Sequence, residues 1–425
     1  MDFAYEVFPK VFSVNSEANI SIRGLHCVRT FEPHQVYAIY CFSKINKDEE
    51  VKLKIEADKE GYLKFRIPLH TKGEYLIDIY NEENKETILT TQYIFAASSD
   101  LAKKRAYKGD LHIHTTYSDG KKSPLYMAII GKKLGFDFIS ITDHDKYYPS
   151  LEAIRKAKKM NLNLLIFPGE EVSVYGENEE GIHLLSLCAS SGISSYKNNS
   201  GLYEKECQGI LNNELKNKTL IQGLSEKFYA RTVWNVKKIR QMSGYAIIAH
   251  PYWVPKPEGK FHLSPLVYNQ LLADGLFDAV EVLGDVEFEN NILSVTKYYE
   301  ERINGKKIPI AANSDTHDYP HTYGNYWTVV FAEKLEKESI FNAILNSKSV
   351  ACEYCHNKEL RVYGSHELVE YTYFLQREFF PLHDEICTSE GELSMHILEK
   401  KSKNNSKLVN LRKELDNLYQ KIWAT

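Results

Sequence analysis

Asp110-Leu111-His112-Ile113-His114-Thr115-Thr116-Tyr117-Ser118-Asp119-Gly120 opens the part of the chain whose rhythm decides its fold. Successive side chains of an extended strand point to opposite faces, so His112 and His114 fall on the same side, as a metal-binding pair requires. One such pair says little, because histidines also serve as core residues. Repetition gives it weight. Short apolar strands recur downstream and most finish on a ligand-type residue: Thr142-Asp143-His144 after Phe138 to Ile141, Gly169-Glu170-Glu171 after Leu162 to Phe167, and His250 after Ala246 to Ala249. Asp315 and His317 follow Ile310 to Ala312, while His183 lies within Ile182 to Leu187.

Helices separate these strands. Ser123 and Pro124 combine a capping hydroxyl with a residue tolerated at a first helical position, Gly135 supplies a stop, and Ser150 can cap a helix running towards Met160. Further apolar runs at Ala279 to Leu283 and Trp327 to Phe331 continue the alternation. Strands alternating with helices imply parallel pairing and a β/α barrel, with an open doubly wound sheet as the second choice. In a barrel the C-terminal strand ends share one face, so the scattered histidines and carboxylates converge there.

Outside this region the patterns differ. Residues 1–98 hold six alternating runs at spacings of about ten residues, the signature of a small immunoglobulin-like β-sandwich. A polar linker leads to a barrel expected over 107–350, interrupted by a charged, Asn-rich insertion at about 188–243 that could form a lid or a surface excursion. Residues 351–425 read as a mainly helical extension. Its leucines 408, 411, 415 and 418, with Ile422, form a stripe suited to packing on another helix, with docking onto the barrel preferred to dimerisation.

With 53 Lys and Arg against 57 Asp and Glu, the net charge of −4 offers no general attraction for nucleic acid or anionic lipid. No apolar run approaches the roughly 20 residues of a membrane span, and no secretory pattern opens the chain, so a cytoplasmic protein is expected. Seven cysteines form no secreted framework and read as reduced thiols. Cys352, Cys355 and His356 spell the haem-attachment spacing, but without export the spacing reads as chance among structural thiols.

The motifs DLHIHTTYSDG at 110–120, ITDH at 141–144, PGEEVS at 168–173, IHLLSL at 182–187, AHP at 249–251 and NSDTH at 313–317 together resemble the polymerase and histidinol phosphatase (PHP) family of metal-dependent phosphoesterases. The resemblance implies a distorted seven-stranded β/α barrel with two to three divalent ions, Zn, Mn or Fe. Carried over by motif, His112, His114, Glu171 and Asp315 hold one ion, Glu171 bridges to a second completed by His183 and His250, and Asp119, His144 and His317 hold a third. Val172 and Ser173 after Glu171 match the family pattern, which selects Glu171 over Glu170 as the bridge. Asp143, Asp145, Glu170, Asp318 and His321 remain as caps, surface charges or supporting groups.

The expected reaction is hydrolysis of a small phosphomonoester or phosphodiester by a metal-bridging hydroxide, with Glu171, His144 and His317 catalytic. His317, His144 or a metal-bound water can protonate the leaving group. Lys146, Arg231 or Lys256 can meet a phosphate, and Tyr147, Tyr252 and Trp253 can wall the pocket. Nucleic acid enters only as a short or nucleotide substrate, and this reading leaves an oligomer open. Two alternatives stand beside it: an amide, ester or carbamate hydrolase on the same barrel, and a carbohydrate- or protein-binding module with secondary hydrolase activity.

Overall fold

The computed structural model describes residues 4–25, 30–82, 84–176, 181–216, 218–255, 260–354, 359–400 and 405–424. Lys256 and the Cys355-His356 part of the haem-like spacing lie outside them. The chain divides into two compact units: residues 1–105, 365–386 and 409–425 form one, and 106–364 with 387–408 form the other.

The first unit begins with eight strands: β1 (Tyr5–Phe8), β2 (Val11–Ser13), β3 (Ser16–Gly24), β4 (Val36–Ser43), β5 (Glu50–Glu56), β6 (Tyr62–Leu69), β7 (Gly73–Asn81) and β8 (Asn84–Ala97). They form a three-stranded sheet, β1-β3-β6, and a five-stranded sheet, β2-β8-β7-β4-β5. Alternation along β3 and β6 turns Ile20, Ile22, Leu63 and Ile67 inward, where they meet Ile39, Ile77 and Ile79 in one apolar core. The expected six runs match β3 to β8; β1 and β2 are too short, and divided by Pro9, to show a period of their own.

The second unit alternates strands and helices. It contains β9 (Arg105–Asp110), α1 (Pro124–Lys133), β10 (Phe138–Ser140), α2 (Tyr148–Met160), β11 (Leu165–Phe167), β12 (Gly169–Tyr175) and β13 (Gly181–Leu187). Three helices follow, α3 (Ser194–Lys197), α4 (Ser200–Asn213) and α5 (Glu226–Gln241), then β14 (Tyr245–Ile248), α6 (Pro265–Ala273), β15 (Ala279–Leu283), α7 (Phe288–Ile303) and β16 (Ile310–Ala312). The remaining strands are β17 (Tyr326–Ala332), β18 (Ser349–Tyr354) and β19 (Leu360–Tyr363), with α8 (Lys337–Leu345) between the first two.

These strands make two sheets, β11-β10-β9-β17-β18-β19 and β12-β13-β14-β15-β16. Pairing is parallel for β9-β10-β11 and for β14-β15-β16, as the alternation predicts. It is antiparallel for β12-β13-β14 and β17-β18-β19, which the expectation of uniform parallel pairing missed. For β12 and β13 the reason is connection length: the few residues between Tyr175 and Gly181 cannot carry a crossover helix, so β13 must turn straight back on β12. The β13-β14 and β17-β18 connections do carry helices and are antiparallel all the same. Single parallel bridges, Ile113 with Thr316 and His144 with Glu171, join the sheets just beyond the ends of β9 and β10.

Ser123 caps α1 by accepting from the Tyr126 amide. Ser150, by contrast, does not cap α2: the helix starts at Tyr148, and the Ser150 hydroxyl donates to the Tyr147 carbonyl inside the first turn. The insertion is neither lid nor loose excursion along α5. Phe228, Val236 and Ile239 of α5 are buried with Val172, Leu184 and Ile248, so this helix is part of the layer covering the second sheet.

The residues expected to form a separate C-terminal extension start as strands β18 and β19 and then divide between the units. The helices there are α9 (His366–Glu378), α10 (Phe380–Lys400) and α11 (Asn405–Ile422). In the first unit, α9 stacks Tyr371 on Phe95 with ring centroids 4.8 Å apart, and Glu378 meets Lys10 in a buried ion pair at 2.8 Å. The expected docking of α11 onto the barrel is not what the structure has: residues 409–425 belong to the first unit, where Lys10 and Ala424 donate backbone hydrogen bonds to Ile422 and Val11. Leu408, Leu415 and Ile422 of the predicted stripe are buried, whereas Leu411 and Leu418 are only partly so. Among the described residues, no helix is long and apolar enough to cross a membrane.

Candidate metal centre

Glu171 stands at the middle of the second unit's ligand-type residues. One carboxylate oxygen, Oε2, lies 3.2 Å from His112 Nε2, 3.2 Å from His114 Nε2 and 2.9 Å from His144 Nδ1. The other, Oε1, lies 2.8 Å from His183 Nδ1 and 3.1 Å from His250 Nε2. Asp315 Oδ1 adds contacts of 3.2 Å to His112 and 3.0 Å to His114. On the more open side, Asp119 Oδ2 lies 3.5 Å from His144 and 3.3 Å from His317.

Three groups have ligand atoms close enough to share an ion: His112, His114, Glu171 and Asp315; His114, Asp119, His144 and His317; and His144, Glu171 and His183. All nine residues expected from the sequence are drawn together. Two placements differ in detail from the motif-based sets: His144 stands against Glu171 as well as Asp119, and His114 also borders the Asp119 group. The fit to a cation is geometric. His112 Nε2 and His114 Nε2 lie 3.2 Å apart, and both sit 3.0 to 3.2 Å from Glu171 and Asp315. A point central to atoms so spaced is roughly 2 Å from each, the length of a Zn–N or Zn–O bond. Glu171 Oε2 and Asp315 Oδ1 are buried and make no well-formed hydrogen bond, which a positive ion between these atoms would relieve.

Electrostatics keeps the acceptors charged. Burial opposes ionisation of Glu171, but His183 and His112 outweigh it and hold the carboxyl well below its ordinary range. Burial likewise works against charge on His144, yet Asp119 and Glu171 raise its pKa to about 10. His183 goes the other way, lowered by burial in spite of Glu171 beside it.

Supporting groups fix the ligands. Glu281 Oε2 lies 3.1 Å from His112 Nδ1 and accepts from Asn313 Nδ2 at 2.7 Å, while Oε1 accepts from the His250 amide at 3.1 Å. With an ion between Glu171 and Asp315, a proton on Nδ1 directed at Glu281 would leave His112 Nε2 as the atom that holds it. Asp143 accepts from the Thr115 and Ser118 amides at 2.8 and 3.0 Å and from both hydroxyls, pinning the loop that carries Asp119. His250 and Asp315 both hold a positive φ, 24° and 47°, a conformation uncommon outside glycine and one associated with functional sites.

Glu281 escaped the sequence reading. Its signal was a carboxylate in the middle of the buried strand Ala279-Val280-Glu281-Val282-Leu283, where an unpartnered charge would be costly. Glu170 belongs elsewhere: its carboxylate accepts from the Ile193 amide and the Ser194 hydroxyl at the start of α3. The two cations expected to bind substrate are occupied. Arg231 donates to the Tyr175 carbonyl at 2.9 Å and to Glu204 at 2.7 Å, and Tyr175 is four residues along β12 from Glu171, roughly 13 Å in an extended strand. Lys146 donates to the Tyr117 carbonyl on the loop before Asp119. Trp253 packs on His183 and His250 with centroids 5.7 and 5.5 Å away, whereas Tyr147 donates to the Ala189 carbonyl.

Residues 110–249 match the PHP domain family. The match covers all of the metal-type residues described above except Asp315, His317 and His250. A stretch of 78 residues is 36% identical to the 5'-3' exoribonuclease Rnm of Escherichia coli, covering 18% of this chain and 26% of that protein. A 91-residue stretch is 33% identical to the DNA polymerase/3'-5' exonuclease PolX of Bacillus subtilis, covering 21% and 14%. The chain thus spans about a quarter or less of the curated relatives it matches. Among solved structures, a two-domain protein from Bacteroides vulgatus containing a predicted PHP-like metal-dependent phosphoesterase aligns over 59% of this chain and 65% of its own, with 16% identity and a TM-score of 0.40.

Proposed function

We propose that the protein is a metal-dependent phosphoesterase, hydrolysing a small phosphomonoester or phosphodiester. The observation that carries this reading is the Glu171 carboxylate, whose two oxygens face different sets of imidazoles and so can serve two ions at once. His112, His114, Glu171 and Asp315 would hold one ion, Glu171, His183 and His250 a second, and Asp119, His144 and His317 a third. A donor set of imidazole and carboxylate without thiolate fits Zn, Mn or Fe. Such ions, when bound, polarise a phosphoryl oxygen and activate water for attack.

The remaining work belongs to the chain. Glu281 and Asn313 hold His112 and the start of the His250 loop in register, so the two halves of the ligand set cannot shift independently. Asp143 does the same for Asp119 through Thr115 and Ser118. His144 and His317 have side chains 29% and 36% exposed, against 8% or less for the other imidazoles, and are therefore the rings a substrate can touch and to which a leaving-group proton can be assigned. The same reading takes the two sheets, linked at their bridges, as parts of one distorted β/α barrel. It places the enzyme in the cytoplasm, in keeping with the buried thiols Cys41, Cys188, Cys207 and Cys352, none of them in a disulfide.

The matched relatives are named as nucleases, and for that reason the proposed substrates include nucleotide ends. Elemental analysis of protein purified without added metal, with a panel of mono- and diesters, tests the proposal. The expected result is about two or more ions per chain and phosphate release that Glu171→Gln abolishes. Fewer than one ion, with no activity gained from Mn or Zn, would refute it.

A further inference from the structure

A cavity of about 660 Å³ opens between the loops that follow β15 and β16. Strands β14, β15 and β16 are parallel, so these loops leave the sheet at the end where His250 and Asp315 stand. Asp285, on its wall, stands two residues beyond Leu283 at the end of β15, on the loop that leaves the sheet at that end. Thr322, also on the wall, lies on the loop that carries His317.

The walls combine two kinds of chemistry. Phe288 is 55% exposed and Tyr354 43% exposed, large rings left open where burial would ordinarily be favoured. The Arg361 guanidinium lies 5.3 Å from the Phe288 ring centre, so this ring is already a cation-binding surface. Around them stand the carboxylates of Asp285, Glu287, Glu353 and Glu359, with Arg361 the one basic residue among the described lining and itself 3.9 Å from Glu353. Open rings favour a flat group by stacking, and the excess of carboxylates disfavours an anion.

We propose that this cavity is the leaving-group subsite, accepting a planar ring that is uncharged or positively charged and rejecting one that bears a further phosphate or carboxylate. The inference rests on the phosphoesterase reading. In the reaction, water gives its oxygen to phosphorus as the P–O ester bond breaks, and the departing ester oxygen takes a proton, leaving phosphate at the metals and a hydroxylated ring in the cavity.

The test compares 4-(trimethylammonio)phenyl phosphate with 4-carboxyphenyl phosphate on the Mn-loaded full chain. It reads KM, because the substituents also change leaving-group basicity and with it kcat. Calorimetric titration of the two parent phenols gives affinity without turnover. The expected result is a preference of about tenfold or more for the cationic member in both measurements. Phe288→Ala should raise KM for the cationic ester and reduce the preference, and Glu287→Gln combined with Glu359→Gln should reduce it while retaining binding of both rings. Melting and metal content would verify that each variant is folded. A ratio near one, a preference for the carboxylate, or a preference untouched by Phe288→Ala would overturn the subsite. If no ester of any kind is turned over, the phosphoesterase reading fails, and the phenol titrations alone decide whether the cavity binds cationic rings.

Discussion

Glu170 and Glu171 are neighbours with opposite surroundings because β12 sends successive side chains to opposite faces. Glu171 faces the histidines; Glu170 faces the first turn of α3. Glu171→Gln should therefore lose two ions together, seen by elemental analysis. Glu170→Gln should keep its metals and lower stability by about 1–3 kcal/mol, the cost of weakening charge-assisted hydrogen bonds, measurable by denaturant melting. Glu281→Gln belongs between these cases: as a partner of a ligand it should weaken metal affinity by about 10–100-fold with little change in fold, measurable by chelator competition. Most of the candidate ligand residues were legible because they end recognisable apolar runs; His183 lies inside one and Asp119 on the loop beyond another. Glu281 was not, since its meaning depends on His112, 169 positions earlier, and only the sheet brings them together. Arg231 and Lys146 were misjudged for a similar reason: a cation's availability depends on the carbonyls and carboxylates that claim it, and neither Tyr175 nor Tyr117 advertises that claim.

At the level of elements, the positions of strands and helices followed from periodicity, while the direction of pairing did not. Length decided it: β12 and β13 are too close in sequence for anything but a hairpin, and the α5 segment, though charged along much of its surface, hides an apolar face that covers the sheet. Loop geometry was equally hidden. Gly120 ends the segment that carries Asp119, and a Cβ there would come within 2.6 Å of the His114 carbonyl carbon and the Thr115 amide nitrogen. Backbone atoms cannot yield as a flexible side chain can. Gly120→Ala should displace Asp119, cost about 1–3 kcal/mol, and reduce the metal content of the more exposed group before that of the buried one. Native-state metal titration followed by elemental analysis distinguishes the two losses.

The first unit is assembled from three separated stretches of chain, which no local pattern could have revealed. The period-two runs announced a sandwich over residues 1–98, but the residues that complete its core, Tyr371, Glu378 and Trp423, lie more than 270 positions further along the chain. Glu378→Ala would leave Lys10 buried without its partner and should destabilise this unit by about 3–5 kcal/mol, whereas metal binding by the second unit should persist; parallel melting and metal assays check both halves of that statement. Deleting residues 1–98 would likewise strip α9 and the end of α11 of the surfaces they cover. The contribution of the sandwich to turnover is thus better tested by substitutions on its outer face than by its removal. This threading also sets an order of events during synthesis. Domains generally form as their segments emerge from the ribosome, but here the first strands to appear must wait for Trp423, translated more than three hundred residues after Phe95. The second unit closes only slightly sooner, with residues 387–408, so both units await the last part of the chain, and until it emerges the unfinished sandwich strands are a part of the chain in need of a chaperone.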